Sequence, residues 1–251
     1  MRGSTILAVA AALALAAAAA QASGTKAKWS YEGPGGPQHW GDLDAEYALC
    51  KAGKAQSPID LADANVMAGV TIATDYRPLP LTVLHNGHTV QFNVGNGSTL
   101  TSGGKSFDLV QVHFHAPTEH AMGGRTFPLE AHFVHQSAAG KLAVIGVMIV
   151  EGAANPALAA LLRHLPMQEM AAKTYPETVI DPAGLMPAQR DLFRYMGSLT
   201  TPPCSEGVNW HVMAATITAS AAQIEMLAKA MGANARPVQA ANDRLIVAPA
   251  R

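Results

Sequence analysis

The segment "KLAVIGVMIVEG", Lys141 to Gly152, limits the architecture more than any other stretch. It is a near-continuous apolar run, and a strand of that kind is buried on both faces. It therefore belongs inside a sheet, not at its rim. The surrounding sequence agrees, because from Leu79 to Glu151 short β-rich runs alternate with Gly, Asn, Pro and Ser. "LTVLHNGHTVQFNV" reads as two strands joined at Asn86-Gly87, a strong hairpin turn signal. Two helices stand out later. Asn155 caps, Pro156 opens the first turn, and Leu158, Leu161, Leu162 and Leu165 form an i, i+3, i+4, i+7 stripe. Ser220 and Gln223 form a capping box, Ile224, Leu227 and Met231 make an apolar face, and Gly232 stops the helix. No repeat or linker divides the chain. The expectation is one mainly β (α+β) domain with a few peripheral helices, residues 23–251.

The first 22 residues read differently. "MRGSTILAVAAALALAAAAAQA" has one positive charge, Arg2, then an apolar run ending in Ala20-Gln21-Ala22. This is the pattern of a secretory signal peptide, residues 1–22, cut before Ser23. The run is alanine-rich and no basic stop-transfer flank follows, which argues against a membrane anchor. The leader also inflates the hydrophobic content of 49%. A periplasmic or secreted protein follows from this reading. In such an oxidising compartment the two cysteines, Cys50 and Cys204, favour one disulfide over two free thiols. With Lys+Arg 17 against Asp+Glu 18 and no basic run, nucleic acid and anionic lipid are poor partners. The substrate should be small. The sequence leaves a homodimer open.

Chemistry concentrates in "QVHFHAPTEH", Gln111 to His120, and in "LEAHFVH", Leu129 to His135. Strand alternation puts Gln111, His113 and His115 on one face and Val112 and Phe114 on the other. In the second run Glu130, His132 and Val134 share a face, opposite Ala131, Phe133 and His135. If the two strands lie close, His113, His115 and His132 converge. Three neutral imidazoles suit Zn²⁺, and three protein ligands leave a fourth position open, the mark of a catalytic site. Gln111 and Glu130 each stand two residues before a proposed ligand, placed to hold its other nitrogen. Elsewhere "SLTTPPCSEG" sets two threonines before consecutive prolines, a stiff loop ending near Cys204.

Together "QVHFHAPTEH", "LEAHFVH", "SLTTPP", "QSPID", "NGH" and "GPQHW" resemble the α-class carbonic anhydrases in order and approximate spacing, in their exported bacterial form. The likeness runs from Trp29 to the "RPVQ" at Arg236–Gln239. It implies a large twisted, mostly antiparallel central sheet, Zn²⁺ on His113, His115 and His132, and attack of zinc-bound hydroxide on CO₂. Thr200 resembles the gatekeeper that accepts a hydrogen bond from the nucleophile and passes its own proton to Glu119. Thr201 resembles the bicarbonate contact, and His88 the proton shuttle, expected to be exposed and mobile after its Asn-Gly turn. Val134, Val144, Leu199, Val208 and Trp210 look like the apolar wall for CO₂. Tyr31, Asn86 and Gln91 fall where polar residues order water. His120 and His135 match structural positions. Two departures stand out: Ala116-Pro117-Thr118 shortens a loop that carries tryptophan in animal members, and Gln91 replaces their asparagine. The spacing His113-x-His115-x₃-Glu119 also copies a cupin barrel, which would make Glu119 a metal ligand. That pattern expects a glycine where Phe107 stands.

Overall fold

The computed structural model describes residues 27–250; the leader assigned to residues 1–22 lies outside the described residues. Among the described residues thirteen strands form one sheet. In chain order they are β1 (Val66–Met67), β2 (Ile72–Asp75), β3 (Leu79–His85), β4 (Val90–Asn93), β5 (Thr99–Ser102), β6 (Lys105–His115) and β7 (Leu129–Gln136). β8 (Leu142–Glu151), β9 (Met170–Ile180), β10 (Leu192–Ser198), β11 (Glu206–Met213), β12 (Ile217–Ala219) and β13 (Ile246–Ala248) follow. The main path runs β1-β13-β10-β11-β8-β7-β6-β4-β3-β9. β8 pairs antiparallel with β7 and parallel with β11 and β12, so the apolar run at 141–152 lies deep in the sheet. Residues Ala143 to Ile149 of that strand are buried, on both faces. Most pairings are antiparallel; β1/β13, β11/β8 and β12/β8 are parallel.

Among the described residues four α-helices lie around the sheet: α1 (Trp40–Leu43), α2 (Leu49–Ala52), α3 (Pro156–Leu162) and α4 (Ala221–Met231). Asn155 caps α3 by accepting from the N–H groups of Ala157 and Leu158, and Ser220 with Gln223 closes a capping box on α4. Both helices bury leucines against the sheet, where Leu158, Leu161 and Leu227 join a cluster with Val83, Phe92, Phe114 and Phe133. α3 stops at Leu162, so Leu165 packs on the core from the turn that follows it. A second cluster, on β8, β10, β11 and β13, gathers Val144, Tyr195, Val208, Trp210 and Ile246. A third holds Trp40, Tyr47 and the Cys50–Cys204 disulfide. The bond joins residues 154 apart in sequence, so the chain-entropy model gives it on the order of 5 kcal/mol.

The β3/β4 hairpin is formed, with a longer loop than a two-residue turn. His85 pairs with Val90, and Asn86 Oδ1 accepts from the N–H groups of His88 and Thr89. Gly87 takes φ 86°, the left-handed region that glycine enters without strain. A bulge between Leu109 and Gln111 breaks the alternation of β6. Phe107 and Leu109 before it, and Val112 and Phe114 after it, therefore all reach the same core. Without that extra residue the histidines would turn toward the core.

Candidate metal centre

β6 and β7 are neighbours, with His113 opposite His132, Gln111 opposite Val134 and His115 opposite Glu130. The three imidazoles meet edge to face or tilted, with ring centroids 5.0, 5.2 and 4.5 Å apart. One nitrogen from each lies within 4.8 Å of the other two. The opposite nitrogens are all engaged. His113 Nδ1 meets Gln111 Oε1 at 2.8 Å, His115 Nδ1 meets the Asn234 carbonyl at 2.8 Å, and His132 Nε2 meets Glu130 Oε1 at 2.9 Å. Each acceptor fixes a proton on its side of the ring. Nε2 of His113 and His115 and Nδ1 of His132 are thereby left unprotonated. His115 Nε2 is buried with no hydrogen-bond partner, a vacancy that costs free energy unless a cation takes it. Burial, followed by the other imidazoles, drives His113 well below the ordinary range; burial also lowers His132, and takes His115 to about 4. Neutral imidazoles are the form a divalent metal needs. The donor set fits Zn²⁺.

Glu130 serves several groups at once. Its Oε1 accepts from His132 and, at 2.7 Å, from His120 Nδ1; its Oε2 accepts from the backbone N–H groups of Glu119 and His120. Burial alone would raise its pKa, yet these partners hold it well below the carboxylate range. His120 closes its second nitrogen on Tyr195 Oη at 2.7 Å.

Glu119 is fully buried. Its Oε1 accepts from the Arg236 N–H at 2.9 Å, while Oε2 stands 3.4 Å from His115 Nε2 and 3.8 Å from His132 Nδ1. It does not belong to the three-histidine set. Burial pushes its pKa up to about 7 against the pull of His132, the Arg236 N–H and Thr200. No Thr200 contact reaches full hydrogen-bond geometry, so Oε2 keeps accepting capacity. Thr200 itself is buried, in the loop after β10. That loop is braced by the Leu199 N–H on the Ser205 carbonyl and the Cys204 N–H on the Thr201 carbonyl, and pinned by the disulfide.

On one side of the histidines Val144, Val208 and Trp210 are buried together, with Val134 and Leu199 packed against them. The Trp210 ring sits 4.9 Å from that of His132. On the other side a cavity of about 130 Å³ opens outward, lined by Thr201, Tyr31, Asn86, His88, Gln91 and His113 among others. Apolar wall and polar mouth thus flank one point. His88 differs from the sequence expectation. It is half-buried, stacked on Trp29 at 3.6 Å with planes 10° apart, and tied by its carbonyl to Asn234 Nδ2.

Three contributors escaped the sequence reading. Asn234 supplies the missing acceptor for His115, and its side chain also bonds Ala116, Phe114 and His88. The signal available was a debt: Gln111 and Glu130 answer for two histidines, and nothing nearby answers for the third. Arg236 spans Glu119, Gln56, Ser57 and Cys50, linking the site to the disulfide region. Trp29 braces the His88 ring.

Three imidazoles on adjacent strands, each with its outer nitrogen held and its inner one turned toward the others, beside an apolar wall, form a group that could hold one metal ion in a site of the β-sheet class. A family model described as eukaryotic-type carbonic anhydrase matches residues 35–250. A carbonic anhydrase of Nostoc is 43% identical over 224 residues, covering 87% of this chain and 85% of its own length. One from Pectobacterium atrosepticum is also 43% identical, covering 87% and 90%. The α-carbonic anhydrase of Thermovibrio ammonificans, solved with the inhibitor sulfanilamide, superposes with a TM-score of 0.84 at 44% identity, over 88% of this chain and 99% of that one. The chain belongs to the eukaryotic-type, or α, carbonic anhydrase family and is an enzyme of CO₂ hydration.

Proposed function

We propose that the chain catalyses the zinc-dependent, reversible hydration of CO₂ to bicarbonate and a proton, with His88 exporting the proton. The observation that carries the reading is the set of inner nitrogens on His113, His115 and His132, each opposed by a fixed acceptor. Zn²⁺ held there supplies the Lewis-acid charge that lets a water act as nucleophile at neutral pH.

Everything else is work for the protein's own groups. Gln111, Glu130 and the Asn234 carbonyl fix the three tautomers, so no ring reorients when charge changes. Thr200 accepts a hydrogen bond from the nucleophile only while its own proton points elsewhere, and a Glu119 carboxylate is an obligate acceptor for it. Thr201, at the cavity, is suited to contact bicarbonate. Val134, Val144, Leu199, Val208 and Trp210 hold CO₂, which has no net dipole, against an apolar surface and exclude competing water. Tyr31, Asn86 and Gln91 order the water between the centre and His88. His88 then takes the proton outward. Desolvation first, with His85 adding to it and Glu169 opposing, sets its pKa below the ordinary imidazole value.

We also assign residues 1–22 to an export signal and the mature domain to 23–251, outside the cytoplasm. The disulfide supports that compartment. No helix among the described residues is long and apolar enough to cross a membrane. Zinc content measured alongside stopped-flow CO₂ hydration tests the reading. One zinc per chain with rapid hydration supports it, and metal-free protein with full activity rejects it.

A further inference from the structure

A second concavity, of about 790 Å³, opens where the β5/β6 turn and the starts of β8 and β11 come together. By strand alternation Asn209 and His211 face away from Trp210, so this groove stands behind the strand that forms the apolar wall. Its lining contains Lys105, Lys141 and Arg194 and not one carboxylate. Among the described residues neither lysine ammonium has an ion-pair partner. Arg194 spends only its Nε, on Asn209 Oδ1 at 3.0 Å, leaving both terminal nitrogens unpaired.

The floor is built. Asn209 Nδ2 approaches Ser102 Oγ at 3.5 Å, and Ser102 Oγ meets His211 Nε2 at 2.9 Å. Ser102 is 5% exposed and His211 is fully buried, so Asn209, and through it Arg194, is held from beneath. Burial, then the Arg194 charge, lowers His211 to about 4, which keeps it neutral and leaves the guanidinium as the charge at the floor. Phe107, Leu142 and the exposed Met196 add apolar surface beside the cations. The volume falls within the range of sites for small organic molecules.

Three cations, none with an ion-pair partner among the described residues, line one partly apolar groove, a positive surface that favours an anion. We propose that the groove binds a small amphipathic organic anion: a carboxylate paired with Arg194 and bracketed by Lys105 and Lys141, with its apolar body on Phe107, Leu142 and Met196. A planar guanidinium with both terminal nitrogens free suits bidentate carboxylate recognition.

The test uses the zinc-loaded protein with 1-naphthoate as probe and 1-naphthalenemethanol as its uncharged counterpart. Titration calorimetry should give one site for naphthoate, weakening with salt, and at least tenfold weaker binding of the alcohol. Amide NMR shifts should gather at Ser102, Met196 and Asn209. Arg194→Met and the double variant Lys105→Gln/Lys141→Gln should each weaken naphthoate about tenfold, the scale of one charge-assisted hydrogen bond. The lysines are exposed, so the double variant remains informative if Arg194→Met fails to fold. Equal binding of the alcohol, an unchanged affinity in the double variant, or shifts at His113 and His115 instead of the groove would each overturn the proposal. So would sedimentation showing a dimer that this double variant dissociates, because the groove would then face a second copy.

Discussion

Strand β7 carries two buried histidines, three residues apart, on opposite faces of the sheet. His132 gives Nε2 to Glu130 and leaves Nδ1 facing two other imidazoles. His135 uses both nitrogens, Nε2 with Tyr76 Oη at 2.8 Å and Nδ1 with the Ala143 carbonyl at 3.3 Å. Burial pushes the pKa of both below the ordinary value, so burial alone does not separate a ligand from a packing residue. The unspent nitrogen does. The same rule sorts His120, saturated between Glu130 and Tyr195, from His113 and His115.

The sharpest way to break this comparison is to truncate both. His132→Ala should lose zinc and hydration activity by orders of magnitude, measured by metal analysis and stopped flow. His135→Ala should keep both and cost roughly 2–3 kcal/mol in denaturant unfolding, through two lost hydrogen bonds and a cavity. Equal catalytic loss with zinc retained in both would erase the distinction. Next in size, opening the Cys50–Cys204 link by a double serine change should destabilise the protein by about 2–5 kcal/mol. Thiol titration of the unfolded, unreduced wild type should find no free cysteine.

Glu119 sharpens the rule from another direction, since its Oε2 lies near the unspent nitrogens without joining them. Glu119→Gln can donate from its amide and so permits the wrong Thr200 orientation. Turnover should fall on the order of 100-fold with zinc still bound; release of zinc would make Glu119 a ligand. In the proposed mechanism His88 marks the outer limit of the machinery. His88→Ala should lower kcat about tenfold and leave kcat/KM for CO₂ unchanged, because proton export follows the attack. A small imidazole buffer should restore much of the loss, and an equal fall in kcat/KM would mean that the residue shapes the site.

The smallest effect is a slope with pH. His135 falls from 6.5 to about 3 on folding. Between those values the unfolded chain binds a proton that the folded one refuses, so stability rises with pH and is lost as pH falls below 6.5. From pH 6.5 to 5.5 this residue alone should cost about 1 kcal/mol. His135→Phe should remove that part of the slope in urea titrations at the two pH values. An unchanged slope would locate the acid sensitivity elsewhere, for instance at His211.

Much of this could be read from residue order. The period-2 placement of Gln111, His113 and His115, and of Glu130 and His132, needed only strand geometry. The capping signals at Asn155 and Ser220 act within four residues, and they were legible for that reason. The half-burial of His88 escapes a local reading of its turn. The ring that covers it, Trp29, stands 59 residues earlier, and a local pattern carries no record of such a neighbour.

By itself, then, the sequence determined which side chains share a strand face, where helices begin, and that histidines recur with period two on neighbouring runs. These are short-range consequences of backbone period and capping. Only the tertiary structure decided that β6 lies beside β7 in the register that sets His113 opposite His132. It alone decided that a bulge at Val110 turns the histidines from the core, and that Asn234, 119 residues from His115, completes its hydrogen bonding. Pairing register and long-range acceptors depend on which distant surfaces bury each other. That is a property of the whole packed chain, and no local stretch of residues specifies it.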